Sequence, residues 1–418
     1  MDGMAKRSLL MIVVLGTLFL GAISVLGWFF FESVSVPAYQ SPTANEYVTP
    51  TEILDDDKDD GGDAATTSNS TLGFSLKLSD KFSIFLFADN LPGARVLLED
   101  SFGNIWLSRT REGTVTMLEI DDEGGVRRKG DLFHGLENPH GLALDGTMLY
   151  IAEEDKISRI ALYSEDSLHK IADLPAGGGH STRTLGFGPD GRLYVSIGSS
   201  CNVCNEEDER RAKIFSMNKD GSDMREFARG LRNTVFFTWS PLDRKMWGTD
   251  MGRDLLGDDT PPEEINIIEE GKNYGWPICF GRNIHDTQFD KNTYIRNPCM
   301  EPFETASYID MQAHSAPLGL AFIPKGIGWP AEYEGDLLVA FHGSWNRSVP
   351  TGYKVVRIKL DARGNYEGIE DFISGWLTPG MVRDKAYGRP VDLLFTKSGD
   401  LLISDDARGV IYKVKPKK

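Results

Sequence analysis

Gly177-Gly178-Gly179-His180-Ser181-Thr182-Arg183-Thr184-Leu185 places an imidazole and a guanidinium on a glycine-rich stretch. It is followed at once by Gly186-Phe187-Gly188-Pro189-Asp190-Gly191-Arg192-Leu193-Tyr194-Val195-Ser196-Ile197-Gly198, which reads as a tight turn leading into a strand. A histidine on a loop held by a rigid sheet is placed to accept a proton near neutral pH. Other polar groups stand beside strand-like runs: Arg95, His140 in Pro139-His140-Gly141-Leu142, Arg232-Asn233, His342 and Arg347 in His342-Gly343-Ser344-Trp345-Asn346-Arg347, and Arg389 in Gly388-Arg389-Pro390-Val391-Asp392. Guanidinium forks match carboxylates, so several arginines converging imply a small polyanionic ligand. For any one arginine alone, an ion pair with a neighbouring aspartate explains it equally well.

These groups need a scaffold that brings distant loops together, and the chain carries one as a repeat. Six segments share an Asp/Gly turn, an alternating apolar strand, a polar turn and a second strand. They start near Gly103, Gly146, Gly191, Arg244, Gly335 and Gly399, about forty to ninety residues apart. Period-2 alternation bounded by turn residues marks paired antiparallel strands, and units of this size read as β-propeller blades. Strong helical periodicity is nearly absent. The expected fold is all-β, a six-bladed β-propeller over residues 73–418. The early strand Phe82–Phe87 has no partner in its own copy and is expected to complete the last blade, closing the ring.

Composition narrows the setting. The chain has 418 residues, 40% hydrophobic, so it is long enough for a large core. Its formal net charge of −17 speaks against nucleic acid as a partner, because phosphate binding needs a basic face. Leu9 to Phe31 contain no charged side chain and follow Lys6-Arg7. As a helix this run would span about 35 Å, which predicts one N-terminal transmembrane helix with residues 1–8 cytoplasmic and the remainder extracytoplasmic, periplasmic or extracellular. A cleaved signal peptide is the alternative. Residues 32–72 hold nine acidic residues and one lysine, −8 of the net charge, and read as a disordered acidic tether. Cys201, Cys204, Cys279 and Cys299 read as two structural disulfides in an exported domain, ahead of metal or redox roles.

His180-Ser181-Thr182-Arg183-Thr184-Leu185, Leu231-Arg232-Asn233, Glu264-Ile265-Asn266-Ile267-Ile268 and Gly271-Lys272-Asn273-Tyr274-Gly275-Trp276-Pro277 together resemble the PQQ-dependent sugar dehydrogenases, over roughly residues 75 to 416. Ser199-Ser200-Cys201-Asn202-Val203-Cys204 and the Phe341–Arg347 run look closer to the sorbosone and pyranose dehydrogenase branch. The resemblance implies oxidation of a sugar or sugar-derived alcohol or aldehyde. His180 would be the base taking a hydroxyl proton while hydride passes to the quinone, and Arg232 with Asn233 would contact the quinone oxygens. It further implies cofactor contacts at Arg95, His342, Arg347 and Arg389, and Ca2+ held partly by the backbone carbonyls of Gly252 and Arg253. The nearby acids Asp258-Asp259 and Glu263-Glu264 are expected to be solvated. With a membrane anchor and no haem motif, a respiratory quinone or cytochrome is the expected electron acceptor.

Two residues depart from the glucose-oxidising members. Gly179 replaces the acidic residue before the base, and Val391 replaces the second late arginine. Something else must therefore orient His180. A calcium-dependent lactonase and a non-catalytic surface-displayed binding propeller remain as rival readings on the same ring.

Overall fold

The structure, a computed structural model, describes residues 66–68, 73–378 and 380–417. The expected cytoplasmic segment (1–8), the anchor (9–31) and nearly all of the tether (32–72) lie outside the described residues. Among the described residues no helix is long and apolar enough to cross a membrane.

The described residues form six four-stranded antiparallel blades. Their inner strands are Ala94–Glu99, Leu142–Asp145, Leu185–Phe187, Thr234–Trp239, Pro317–Phe322 and Pro390–Phe395, and neighbouring blades touch along these strands around the ring. The strand from Phe82 to Ala88 pairs with Val410–Pro416 and completes the sixth blade, as expected. The fifth blade carries extra strands on its outer edge: Ser75–Leu78 pairs with Tyr366–Ser374, and Thr66–Ser68, inside the stretch expected to be a tether, pairs with Ser75–Leu78.

The second strand of each blade explains why the repeat is visible in the sequence. Ile105–Arg109, Leu193–Ile197, Met246–Asp250, Leu337–Phe341 and Leu401–Asp405 are buried at every position. Covered on both faces by adjacent blades, such strands are mostly apolar, because an unpaired polar group there costs about 1–3 kcal/mol. The polar exceptions have partners. Ser108, Ser196 and Ser404 hydroxyls accept the backbone N–H of Val96, Thr184 and Asp392 at 3.1, 3.3 and 3.0 Å.

The Val96 and Asp392 amides are free because their inner strands bulge at one end. Register shifts fall between Ala94 and Leu97, Thr234 and Phe236, Pro317 and Leu320, and Pro390 and Leu393. A bulge re-aims the residue it contains. The first bulged residue is Arg95, Val235, Leu318 or Val391 in turn, and the three apolar members join one buried cluster. Arg95 therefore lies within the inner strand of the first blade, not before it. Val391 is fully buried and plays a packing part.

The four cysteines form two disulfides, as expected, and the structure pairs them Cys201–Cys204 and Cys279–Cys299.

Candidate functional site

Antiparallel pairing decides where the site sits. Ala94 pairs with Arg109, Thr234 with Asp250 and Pro390 with Asp405. The loops entering inner strands and those leaving second strands therefore gather at one end of the ring. His180, Arg232, Asn233 and Arg389 enter inner strands, and Arg95 lies in a bulge at the same end. Gly252, Arg253, His342 and Arg347 leave second strands there.

His180 is oriented by the backbone. Its Nδ1 lies 2.9 Å from the Ser199 carbonyl oxygen and 3.0 Å from Ser199 Oγ, and that hydroxyl donates to the Cys201 carbonyl at 2.7 Å. A carbonyl only accepts, so Nδ1 carries the hydrogen and Nε2 keeps a lone pair. This supplies what the missing acid at Gly179 does not. Burial, reinforced by the Arg232 cation, pushes the His180 pKa down to about 3. The ring is therefore neutral at pH 7.

The loop before His180 is clamped from beneath. Arg183, fully buried, donates to the carbonyls of His180 (2.9 Å), Thr182 (2.8 Å) and Pro175 (2.6 Å). Its role is structural, not ligand-facing. Arg211 donates to the carbonyls of Pro175, Ala176 and Gly177, and Glu154 accepts the Gly177 N–H at 2.7 Å.

Arg232 is held just as closely. Its Nε donates to the Asn202 carbonyl (2.9 Å), one terminal nitrogen to the Met251 carbonyl (3.1 Å), and the other to Asn202 Oδ1 (3.0 Å) and Asp254 (3.4 Å). Four of its five N–H groups are thus taken up, leaving one for a ligand. Asp250 accepts the backbone N–H of Arg232 and of Asn233 at 3.0 and 2.8 Å.

A second cluster lies across the ring. Asp406 receives Arg95 at 2.7 Å and His342 Nε2 at 2.8 Å, while Arg389 donates to the carbonyls of His342 (3.0 Å) and Gly343 (2.5 Å). Burial alone would raise Asp406, but His342, Arg95 and Arg389 hold it well below the usual carboxylate range. The loop leaving the fifth blade's second strand joins the two clusters. Beyond His342, Trp345 bonds the Asp254 carboxylate, and Arg347 donates to the Asp258 carbonyl (2.7 Å) and Asp259 (2.9 Å). All nine candidate residues thus lie at one face of the ring, eight in its loops and Arg95 in the bulge of an inner strand.

The donor set fits the implied groups. The carbonyls of Gly252 and Arg253 accept no hydrogen bond among the described residues, whereas those of Met251 and Asp254 beside them are taken by Arg232 and Asn202. Two adjacent open carbonyls are hard oxygen donors of the kind Ca2+ accepts. Arg95 Nε, Arg253 Nε and Asn346 Nδ2 are buried without a protein partner, which suits a polyanionic quinone such as PQQ.

One expectation is corrected. Glu263 and Glu264 are buried, because their strand is paired on both sides. Glu263 accepts the N–H of Gly252 at 2.8 Å and of Ala316 at 3.1 Å, and burial pushes both glutamates up to about 8. Asp259 is exposed, while Asp258 is half-buried and accepts the Ser348 N–H at 3.0 Å. Sequence reasoning missed Asn202, Asp254 and Asp406. A signal existed for Asp406: the position just past the second strand is polar in several copies, as at Thr110, Glu153 and His342.

Comparison with known proteins agrees with this architecture. A family model described as TrAA12-like matches residues 76–417. An uncharacterized protein of Borreliella burgdorferi is 32% identical over 359 residues, covering 81% of this chain and 90% of that protein. Among solved structures, a Trichoderma reesei Carbohydrate-Active Enzymes Family AA12 protein superimposes with a TM-score of 0.69 at 22% identity, covering 81% of this chain and 97% of that one. The pyranose dehydrogenase PQQ domain from Coprinopsis cinerea gives 0.68 at 19% identity, covering 82% and 97%. Both structural likenesses show the shared fold. The match over nearly the whole propeller bears out the resemblance drawn from the motifs: the chain belongs to the TrAA12-like family.

Proposed function

We propose that this protein is an oxidoreductase that oxidises a sugar or sugar-derived alcohol or aldehyde with PQQ and Ca2+, His180 acting as the base. The observation that carries this reading is the His180–Ser199 contact, which leaves Nε2 as an open proton acceptor beside the Arg232 cation. Family membership supports it, and the C. cinerea relative is named as a PQQ-domain pyranose dehydrogenase.

PQQ, when bound, supplies the hydride acceptor. Arg95, Arg253, Arg347, Arg389 and Asn346 would hold its anionic groups, and the Gly252 and Arg253 carbonyls would bind the cation. His180 Nε2 takes the substrate hydroxyl proton, worth typically 10²–10⁴-fold in rate. The fixed Arg232 cation stabilises the alkoxide as it forms. The neutral imidazole gains basicity as bound anionic groups offset the field of Arg232.

Two disulfides suit an oxidising compartment, and the uncharged 9–31 run after Lys6-Arg7 supports an anchored, extracytoplasmic enzyme handing electrons to a membrane quinone or cytochrome. The test is reconstitution with PQQ and Ca2+ and dye-linked oxidation across an aldose, pyranose and sorbosone panel. Turnover of at least one sugar is expected. No turnover together with no PQQ uptake would instead favour a binding propeller.

A further inference from the structure

The four-residue ring closed by Cys201–Cys204 lies between His180 and Arg232 and bonds to the surroundings of both. Leading into it, Ser199 gives its carbonyl to His180 Nδ1 and Ser200 gives its carbonyl to the Gly179 N–H, at 2.9 and 2.6 Å. Within the ring, Asn202 uses every polar group of its carboxamide. Its Oδ1 accepts from Arg232 at 3.0 Å and from the Asp254 N–H at 2.7 Å, and its Nδ2 donates to the Asp254 carbonyl at 3.1 Å. Its backbone carbonyl takes the Arg232 Nε at 2.9 Å. One residue therefore grips the guanidinium twice and clasps the loop that carries Gly252 and Arg253.

An open loop would not hold an asparagine so firmly, because fixing each backbone residue costs about 1–2 kcal/mol in entropy. Here the disulfide closes the turn from within. Glu206 secures its base, accepting the Ser200 N–H at 2.7 Å and Ser200 Oγ at 2.6 Å.

We infer that Asn202 is a positioning residue, held in place by the Cys201–Cys204 disulfide, that sets the Arg232 guanidinium against His180 and couples it to the Gly252–Asp254 loop. The inference rests on the roles proposed above for His180 and Arg232, but part of its test does not need turnover. Three cations face His180, namely Arg232, Arg183 and Arg211, and of these only Arg232 touches Asn202.

The test uses the full chain with histidine labelled by ¹⁵N, comparing wild type with Asn202→Ala and with the Cys201→Ser/Cys204→Ser double variant. Ring ¹⁵N shifts, followed without cofactor from pH 8 to 2.5, report protonation and tautomer of His180. In both variants the hold of the Asn202 carboxamide on Arg232 is lost or loosened, and His180 is expected to titrate at least one pH unit higher than in wild type. With PQQ and Ca2+, kcat is expected to fall at least tenfold while KM changes less than threefold. Asn202→Asp, which keeps an acceptor for Arg232, is expected to recover most of kcat. An Asn202→Ala protein with an unchanged His180 titration and unchanged kcat overturns the inference. A shifted titration in a protein that oxidises no sugar supports the positioning role and counts against the oxidation reading alone.

Discussion

The Ser199 carbonyl oxygen lies 2.9 Å from His180 Nδ1, so a main-chain atom performs the orienting task that a side-chain acid would otherwise take. A backbone acceptor cannot be lost by side-chain substitution, and the tautomer is therefore built into the turn itself. Replacing the ring is then the clean experiment. His180→Ala is expected to lower kcat by about 10²–10⁴-fold with little change in cofactor affinity, measured by steady-state oxidation and by PQQ titration.

The same histidine shapes acid stability. Its folded value is about 3, below the ordinary value near 6.5 that applies in the unfolded chain. As pH falls through 6.5 the unfolded chain takes up a proton that the folded one refuses, so His180 contributes stability that is complete above about 6.5 and lost progressively towards 3. Urea unfolding at pH 7, 6 and 5 is expected to show the gap between wild type and His180→Ala shifting against wild type by about 2 kcal/mol.

Gly198 is small because the site is crowded. A Cβ there would lie 2.6 Å from Asn233 Oδ1 and 2.8 Å from His180 Cβ. Gly198→Ala must push one of the two aside. Misplacement by about 1 Å can cost on the order of 10²-fold in rate. The expected result is a folded protein by circular dichroism with kcat reduced ten- to a hundredfold.

Asp406 carries two partners at once, and its loss leaves the Arg95 cation without its carboxylate. Breaking a buried pair from one side costs about 3–5 kcal/mol. Asp406→Asn is expected to reduce unfolding free energy by about 3 kcal/mol in denaturant titrations at pH 7. It should also weaken PQQ binding, because His342 and Arg389 depend on the same cluster.

The Cys279–Cys299 bridge closes a loop of about twenty residues carrying Arg253's partner Asp286. Chain-entropy arguments put such a bridge at about 3 kcal/mol. A Cys279→Ser/Cys299→Ser variant is expected to unfold at correspondingly lower denaturant while keeping its blades by far-UV circular dichroism.

Blades were readable from the chain because each second strand is covered on both faces, and that burial imposes its apolar pattern locally. Ring closure by Phe82–Ala88 was readable for a related reason, a strand with no partner of its own. The ligand-facing groups were visible through the motifs that carry the family resemblance. Their partners were not. Arg95 and Asp406 are 311 positions apart, and Arg347 meets Asp259 across 88. Glu263 and Glu264 look solvated in a charged stretch and are buried only because strands from two directions cover them. Asn202 reads as a turn residue, since nothing local shows that its amide faces Arg232.

The sixth blade has a consequence for biogenesis. Its outer strand comes from the start of the propeller and its other three from the end, so Phe82–Ala88 must wait with an unpaired edge until Val410–Pro416 has been synthesised. Such non-local pairing folds slowly and leaves the nascent chain open to edge-to-edge association. The Arg95–Asp406 bridge forms across the same closure. A chain ending before Asp406 would therefore lack both its clasp and the carboxylate that holds Arg95 and His342, so the site assembles only once the sixth blade has been made.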